Sequence, residues 1–135
     1  MAKSGWKSFF VAVALILAGQ GASAQVPLKD VAHIREGLIA AGMAIEIDTY
    51  CDTVTVRLFR GLSFLNGLKK HASDLGYTDQ QIDAYINDSV EKTRLEGIAR
   101  ARLAELGAVV GQNETYCQVG RGQIAQNTTL GWLLR

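Results

Sequence analysis

The run from Cys51 to Leu75, CDTVTVRLFRGLSFLNGLKKHASDL, constrains the fold of this chain more than any other stretch. Val54, Leu58, Leu62, Leu65, Leu68, Ala72 and Leu75 recur every three or four positions, which at 3.6 residues per turn places them on one stripe of a helix. Gly61 sits beside Leu62. Arg57, Arg60, Asn66, Lys70 and His71 fall off the stripe, so the reading is a central amphipathic helix with one face buried and one wet. Thr53-Val54-Thr55-Val56 also alternates in the manner of a short strand, but the regularity beyond it favours helix throughout. A chain built on such a helix is expected to be all-α.

The first 24 residues are set aside from the fold because they carry the three parts of a secretory signal in order. Lys3 and Lys7 form a basic start, Phe9 to Ala18 is an unbroken apolar run, and Ala22-Ser23-Ala24 supplies the small residues of a cleavage site. Cleavage is predicted between Ala24 and Gln25. The apolar run is much shorter than the roughly 20 residues that span a bilayer, so no transmembrane anchor is expected after cleavage. The reading is residues 1–24 as signal peptide and 25–135 as one helical domain, located in the periplasm or secreted. Removing 24 of the 135 residues leaves 111, enough for one modest core. Twelve of the 14 basic residues then face 13 acidic ones, for a net charge of about −1. That balance argues against nucleic acid as a partner, since such binders carry a basic excess.

Val26 to Ile47 reads as the first helix of the domain, with Pro27 at its start and Val31, Ile34, Leu38, Ala41 and Ile45 as its stripe. Gly37 and Gly42 weaken it by about 1 kcal/mol each relative to alanine. Gly76 closes the central helix in a left-handed cap, and Thr78-Asp79-Gln80-Gln81 opens the next with a capping box. From Ile82 to Leu106 the spacing fits either one kinked helix or two consecutive ones, interrupted at Asn87-Asp88-Ser89. Its charges alternate in sign, as on a solvated helix face. Asn113 is placed to cap a helix from Glu114 to about Gln126. Leu130, Leu133 and Leu134 form a last turn or fold back on the core, with Trp132 off that face.

Cys51 and Cys117 are the only cysteines, and in an oxidising compartment two with no third are most simply one disulfide. The bridge would tie the start of the central helix to the start of the last helix. His33 with Glu36, and His71 with Asp74, are i, i+3 pairs of the kind found in metal sites, but further converging ligands and an H-E-x-x-H motif are missing. Both histidines are read as exposed helix residues; no metal and no cofactor is predicted, and no catalytic residue is assigned. Ser63, Ser73 and Ser89 lack a nucleophile-elbow context. Gly120-Arg121-Gly122 lacks the strand and third glycine of a phosphate loop, and is read instead as letting the last helix approach a neighbour closely, with Cys117, Gly120 and Ile124 inward. The triplets at Asn87, Asn113 and Asn127 would mark glycosylation only in a eukaryotic secretory pathway. Arg57 and Arg60, with Phe59 and Phe64 beside the main stripe and Trp132 near the end of the chain, make a basic and aromatic margin. Burial of both phenylalanines is the expectation, and exposure of either would make the margin a partner surface.

The run YCDTVTVRLFRGLSFLNGLKKHASDLGYTDQQIDAYI, the later YCQVGRGQIAQ and the leucine-arginine ending together resemble an uncharacterised family of small exported alphaproteobacterial proteins, over about Leu38 to Arg135. That family carries no assigned activity, so the resemblance transfers no functional residue. It implies genes neighbouring those of respiratory NADH:quinone oxidoreductase, and hence a protein partner and an accessory role at a membrane complex. Some relatives bear transhydrogenase labels, but the strand-and-glycine fingerprint of a dinucleotide site is absent here.

The expectation is therefore a compact bundle of four or five helices with one disulfide, serving as a non-enzymatic exported interaction or accessory protein. Two alternatives stand beside it. One is a ligand-binding or catalytic bundle with an interhelical site, which an apolar pocket would favour. The other is a periplasmic holdase or inhibitor, which an exposed Phe59, Phe64 and Trp132 surface on a pocketless domain would favour.

Overall fold

The computed structural model describes residues 24–135, and the predicted signal segment, with its basic start, apolar run and cleavage motif, lies outside them apart from exposed Ala24. After a 3₁₀ turn at Leu28–Asp30 come six α-helices: α1 Ala32–Tyr50, α2 Leu58–Asp74, α3 Asp79–Ile86, α4 Ser89–Glu105, α5 Asn113–Ala125 and the single-turn α6 Thr129–Leu133. The all-α expectation holds. The sixth helix arises because Leu130, Leu133 and Leu134 both make a turn and fold back, each 5% exposed or less.

The hub is α1, not the helix that follows Cys51: α2, α4, α5 and α6 all pack on it. Its buried face is Ile39, Met43, Ala44 and Ile47, which join Cys51, Val54, Ala99, Leu103, Tyr116, Cys117, Leu133 and Leu134 in the main core. A second core forms where Ile34 meets Leu28, Leu68, Ala72, Tyr77 and Ile82. The expected α1 stripe was therefore offset. Ile34 is buried, but Leu38 and Ala41 are half-buried and Ile45 is exposed.

Cys51 ends α1, and α2 does not begin until Leu58. Between them residues 53–57 run extended against the end of the chain: Thr55 and Arg135 exchange main-chain hydrogen bonds at 2.9 Å, and Arg57 N donates to Leu133 O. An antiparallel bridge pairs Val56 with Leu134. The alternation and β-branching of Thr53 to Val56 thus prevailed over the helical periodicity, because pairing with the C-terminal residues satisfies backbone groups that a helix would otherwise satisfy. The Cys51–Cys117 disulfide, with Cα atoms 5.1 Å apart, consequently ties the end of α1 to α5 rather than the start of α2.

Other local readings hold, except the cap at Asn113. Thr78 Oγ1 accepts from Gln81 N, and Gln81 Oε1 accepts from Thr78 N, completing the capping box. Gly76 takes φ +93° at the close of α2. The chain breaks at Asn87–Asp88 into two helices, and the Asp88 carboxylate caps α4 through Val90 N and Glu91 N. Asn113 does not cap α5; it is the first helical residue and Gln112 stands at the cap position without a side-chain bond. Thr115 Oγ1 closes that turn instead, donating to Gln112 O and accepting from Val109 N. Close approach by glycine is real at Gly120, where an added Cβ would lie 2.9 Å from Val54 and 3.1 Å from Ile47. Gly37 has the same use: its missing Cβ leaves room for Leu68, which would lie 2.7 Å away.

Candidate functional site

Because α2 and α4 pack on different sides of α1, a strip of α1 between them is left uncovered. Ile34, Leu38, Ala41 and Ile45 form the floor of the resulting groove, Leu65, Leu68, Lys69 and Ala72 of α2 one wall, and Leu95 and Glu96 of α4 the other; α3 closes one end with Ile82, Tyr85 and Ile86. The cavity has a volume of about 340 Å³. Its floor from Ile34 to Ile45 is about 17 Å long at 1.5 Å per residue.

The groove continues into an uncovered ridge on α2. Leu58 is 65% exposed, Leu62 52% and Leu65 40%, although all three belong to the stripe that the sequence marks as core. Of that stripe, Val54, Leu68 and Ala72 are buried, and Leu75 is also exposed. On α2 the uncovered positions 58, 62, 65 and 69 step by four, three and four residues, and the groove-lining positions of α1, buried Ile34 followed by 38, 41 and 45, step likewise. This is the narrow seam spacing by which one helix receives another, rather than the wider face of a helix set into a globular core.

At the closed end, Glu91 is buried and held by Arg94, whose Nε donates at 2.9 Å. The Arg94 hydrogen bonds keep this carboxyl below the usual carboxylate range in spite of its burial. Burial, together with the Glu91 charge, pushes the Tyr85 hydroxyl up to about 12. The groove therefore offers apolar walls, one buried carboxylate that is already paired, and further charges, Lys69, Lys92 and Glu96, along its lining, chemistry suited to holding an apolar surface with a polar margin.

Around the other flank of α2, Arg57 Nε donates to Leu134 O at 2.9 Å and Arg60 donates to Trp132 O at 3.2 Å. The Arg60 guanidinium lies 5.0 Å from the Trp132 ring centre, in cation–π range. Phe64 is half-buried, 6.5 Å from Trp132. Phe59 contradicts the burial expectation: it is 85% exposed, because its position on α2 points away from α1. Arg57, Arg60, Phe64 and Trp132 are thus gathered at the C-terminal segment, while Phe59 stands apart. Charges expected to form a solvated face on α4 instead reach α1, with Arg100 on Glu46 and Arg102 bidentate on Glu36.

Sequence spacing did not reveal that His33 and His71 meet. Their ring centres are 4.6 Å apart across α1 and α2. The i, i+3 carboxylates considered as their partners are engaged elsewhere, Glu36 by Arg102 and Asp74 by Lys70. The signal for the encounter was topological: an antiparallel α1–α2 hairpin sets the first turn of one helix beside the last turn of the other. Ser63 lines the same recess without a hydrogen bond to either imidazole. Among the described residues no helix is long and apolar enough to cross a membrane, and no three or more His, Cys, Asp or Glu side chains converge as a metal cluster.

A family model described as "Family of unknown function (DUF5333)" matches residues 26–135. No curated protein and no solved structure matches the chain.

Proposed function

The chain belongs to that family of unknown function, and from this premise we propose that it is a non-enzymatic, exported interaction protein whose groove and α2 ridge receive an amphipathic helix of a protein partner. The single observation that carries this reading is the exposure of Leu58, Leu62 and Leu65, a stripe too regular for an incidental surface. Continued to Lys69, its four-three-four spacing is matched by the groove floor, and the length of that floor suits about three turns of guest helix, the helix-in-groove mode of recognition. Lys69 and Lys92 on facing walls, and Glu96 beside them, form a charged rim that would set the register of the guest.

Export is supported by the signal pattern in residues 1–24 and by a disulfide, which persists in oxidising compartments. An accessory role at a membrane complex, implied by the family resemblance, follows if the guest helix belongs to a membrane-anchored subunit. The groove itself favours one second reading, a small-molecule binder taking an apolar guest. A holdase is less well supported, since the domain is not pocketless.

A photo-reactive residue at Leu62, or at Ile45 on the groove floor, tests the proposal in living cells. Both positions are expected to crosslink to the same protein, while the loop position Val110, 89% exposed, does not. Crosslinking at Val110 alone, or to no protein at any site, would overturn the reading, and a co-purifying lipid detected by native mass spectrometry would select the small-molecule binder.

A further inference from the structure

His33 and His71 are the only histidines in the chain, and they converge from different helices on a recess of about 420 Å³ that Ser63, Asp74 and Trp132 also line. An edge-on contact between two imidazoles has two physical uses, packing or shared ligation. Three observations favour ligation. First, no hydrogen bond joins either imidazole to a protein group among the described residues, and the two rings, His33 exposed and His71 half-buried, border an open recess. Second, the spacing fits. With nitrogen about 2.0–2.1 Å from an ion and a ring centre about 1.1 Å further back, two cis ligands at 90–110° put their ring centres about 4.5–5.2 Å apart. The observed 4.6 Å falls in that interval, with the rings inclined at 65° rather than stacked. Third, each ligand sits on a helix held by the buried contact between Ile34, Leu68 and Ala72, so the pair is pre-positioned.

We propose that His33 and His71 form a solvent-facing, two-imidazole site for a divalent ion of the late first transition row, Cu²⁺ or Zn²⁺ by donor type. Water completes the coordination. The nearest carboxylates stay with their cations, Asp74 with Lys70 at 2.7 Å and Glu36 with Arg102 at 2.5 Å. Both cysteines are consumed in the disulfide, so no thiol competes for the ion. An open site of this kind exchanges its ion readily and clamps α1 to α2 when filled.

The test is a Cu²⁺ titration of the untagged, disulfide-intact protein, followed by electron paramagnetic resonance, alongside His33→Ala, His71→Ala and the double variant. Alanine favours helix at both positions, and circular dichroism checks the fold. The expected result is one ion per chain with two nitrogen ligands, and affinity reduced at least tenfold by either single substitution. An unchanged signal in the double variant would assign the ion to the amino terminus and overturn the proposal. So would loss with only one of the single variants, or no binding at all.

Discussion

Breaking the Cys51–Cys117 bridge perturbs the described fold at its most constrained point. The two residues are 66 apart in sequence, and in the chain-entropy model closing a loop of that size removes about 14–15 cal/mol/K from the unfolded state, or about 4 kcal/mol at 25 °C. Both residues are almost fully buried, Cys51 2% and Cys117 4% exposed, so a Cys51→Ala, Cys117→Ala double variant adds a packing loss of about 1 kcal/mol that simple reduction does not. The enclosed loop carries α2, α3 and α4, whereas α1 and α5 would still meet through Ile47 and Gly120. At about 4 °C per kcal/mol for a domain of this length, the unfolding midpoint of the reduced protein is expected to fall by roughly 15 °C. The double variant should fall a few degrees further. The assay is thermal unfolding by far-ultraviolet circular dichroism, with reduction confirmed by thiol titration. A fall below about 4 °C in fully reduced protein, equivalent to about 1 kcal/mol, would refute the argument, because the reduced chain would then be keeping its ends together by other means.

Leu62→Ala should change stability by less than about 0.5 kcal/mol and Leu68→Ala should lower it by about 2–4 kcal/mol, measured by urea unfolding; equal losses would contradict the placement of Leu62 in solvent. Gly131→Ala should destabilise by about 3 kcal/mol or more, since the new Cβ would lie 2.0 Å from the Gln123 carbonyl oxygen. Gly97→Ala, with nothing within 4 Å of its Cβ position, should instead stabilise α4 by about 0.5–1 kcal/mol. Glu91 and Glu36 have folded-state pKa values below the ordinary 4.5 because of Arg94 and Arg102. Their contribution is therefore present above pH 4.5 and lost as the pH falls through the lower folded values. Unfolding midpoints should drop on acidification below that point, and the drop should shrink in Glu91→Gln.

Much of this architecture was legible in local pattern. Thr78 with Gln81, Gly76 and the break at Asn87–Asp88 were readable because each needs only neighbours in sequence; the inward Gly120 was readable from its composition, although what it approaches, Val54 and Ile47, lies far away along the chain. Which helix would be central was not. Periodicity shows that a stripe exists without showing what covers it, so the regular ridge of α2 read as core and the less regular α1, broken by Gly37 and Gly42, read as a weakened helix. The glycine at 37 was in fact a receptor for Leu68, a use that sequence spacing does not distinguish from a weak point. The same limit hid the candidate site. Leu58, Leu62 and Leu65 were identified, but their exposure depends on where α4 and the C-terminal segment come to lie. Thr53 to Val56 went to extended structure through partners about 80 residues away, Leu134 and Arg135. His33 and His71 met for the same reason, through the hairpin and not through spacing along one helix.

The most direct test of the central claim is the stoichiometry of what accompanies the protein when it is purified at native abundance, in gentle detergent and without reductant, from cells carrying either the original chain or Leu62→Glu. The account predicts one protein companion at a fixed ratio to the original chain and its loss from Leu62→Glu, with the variant folded and its disulfide intact. A companion retained in full by Leu62→Glu, or a chain that elutes alone in both cases, would contradict it.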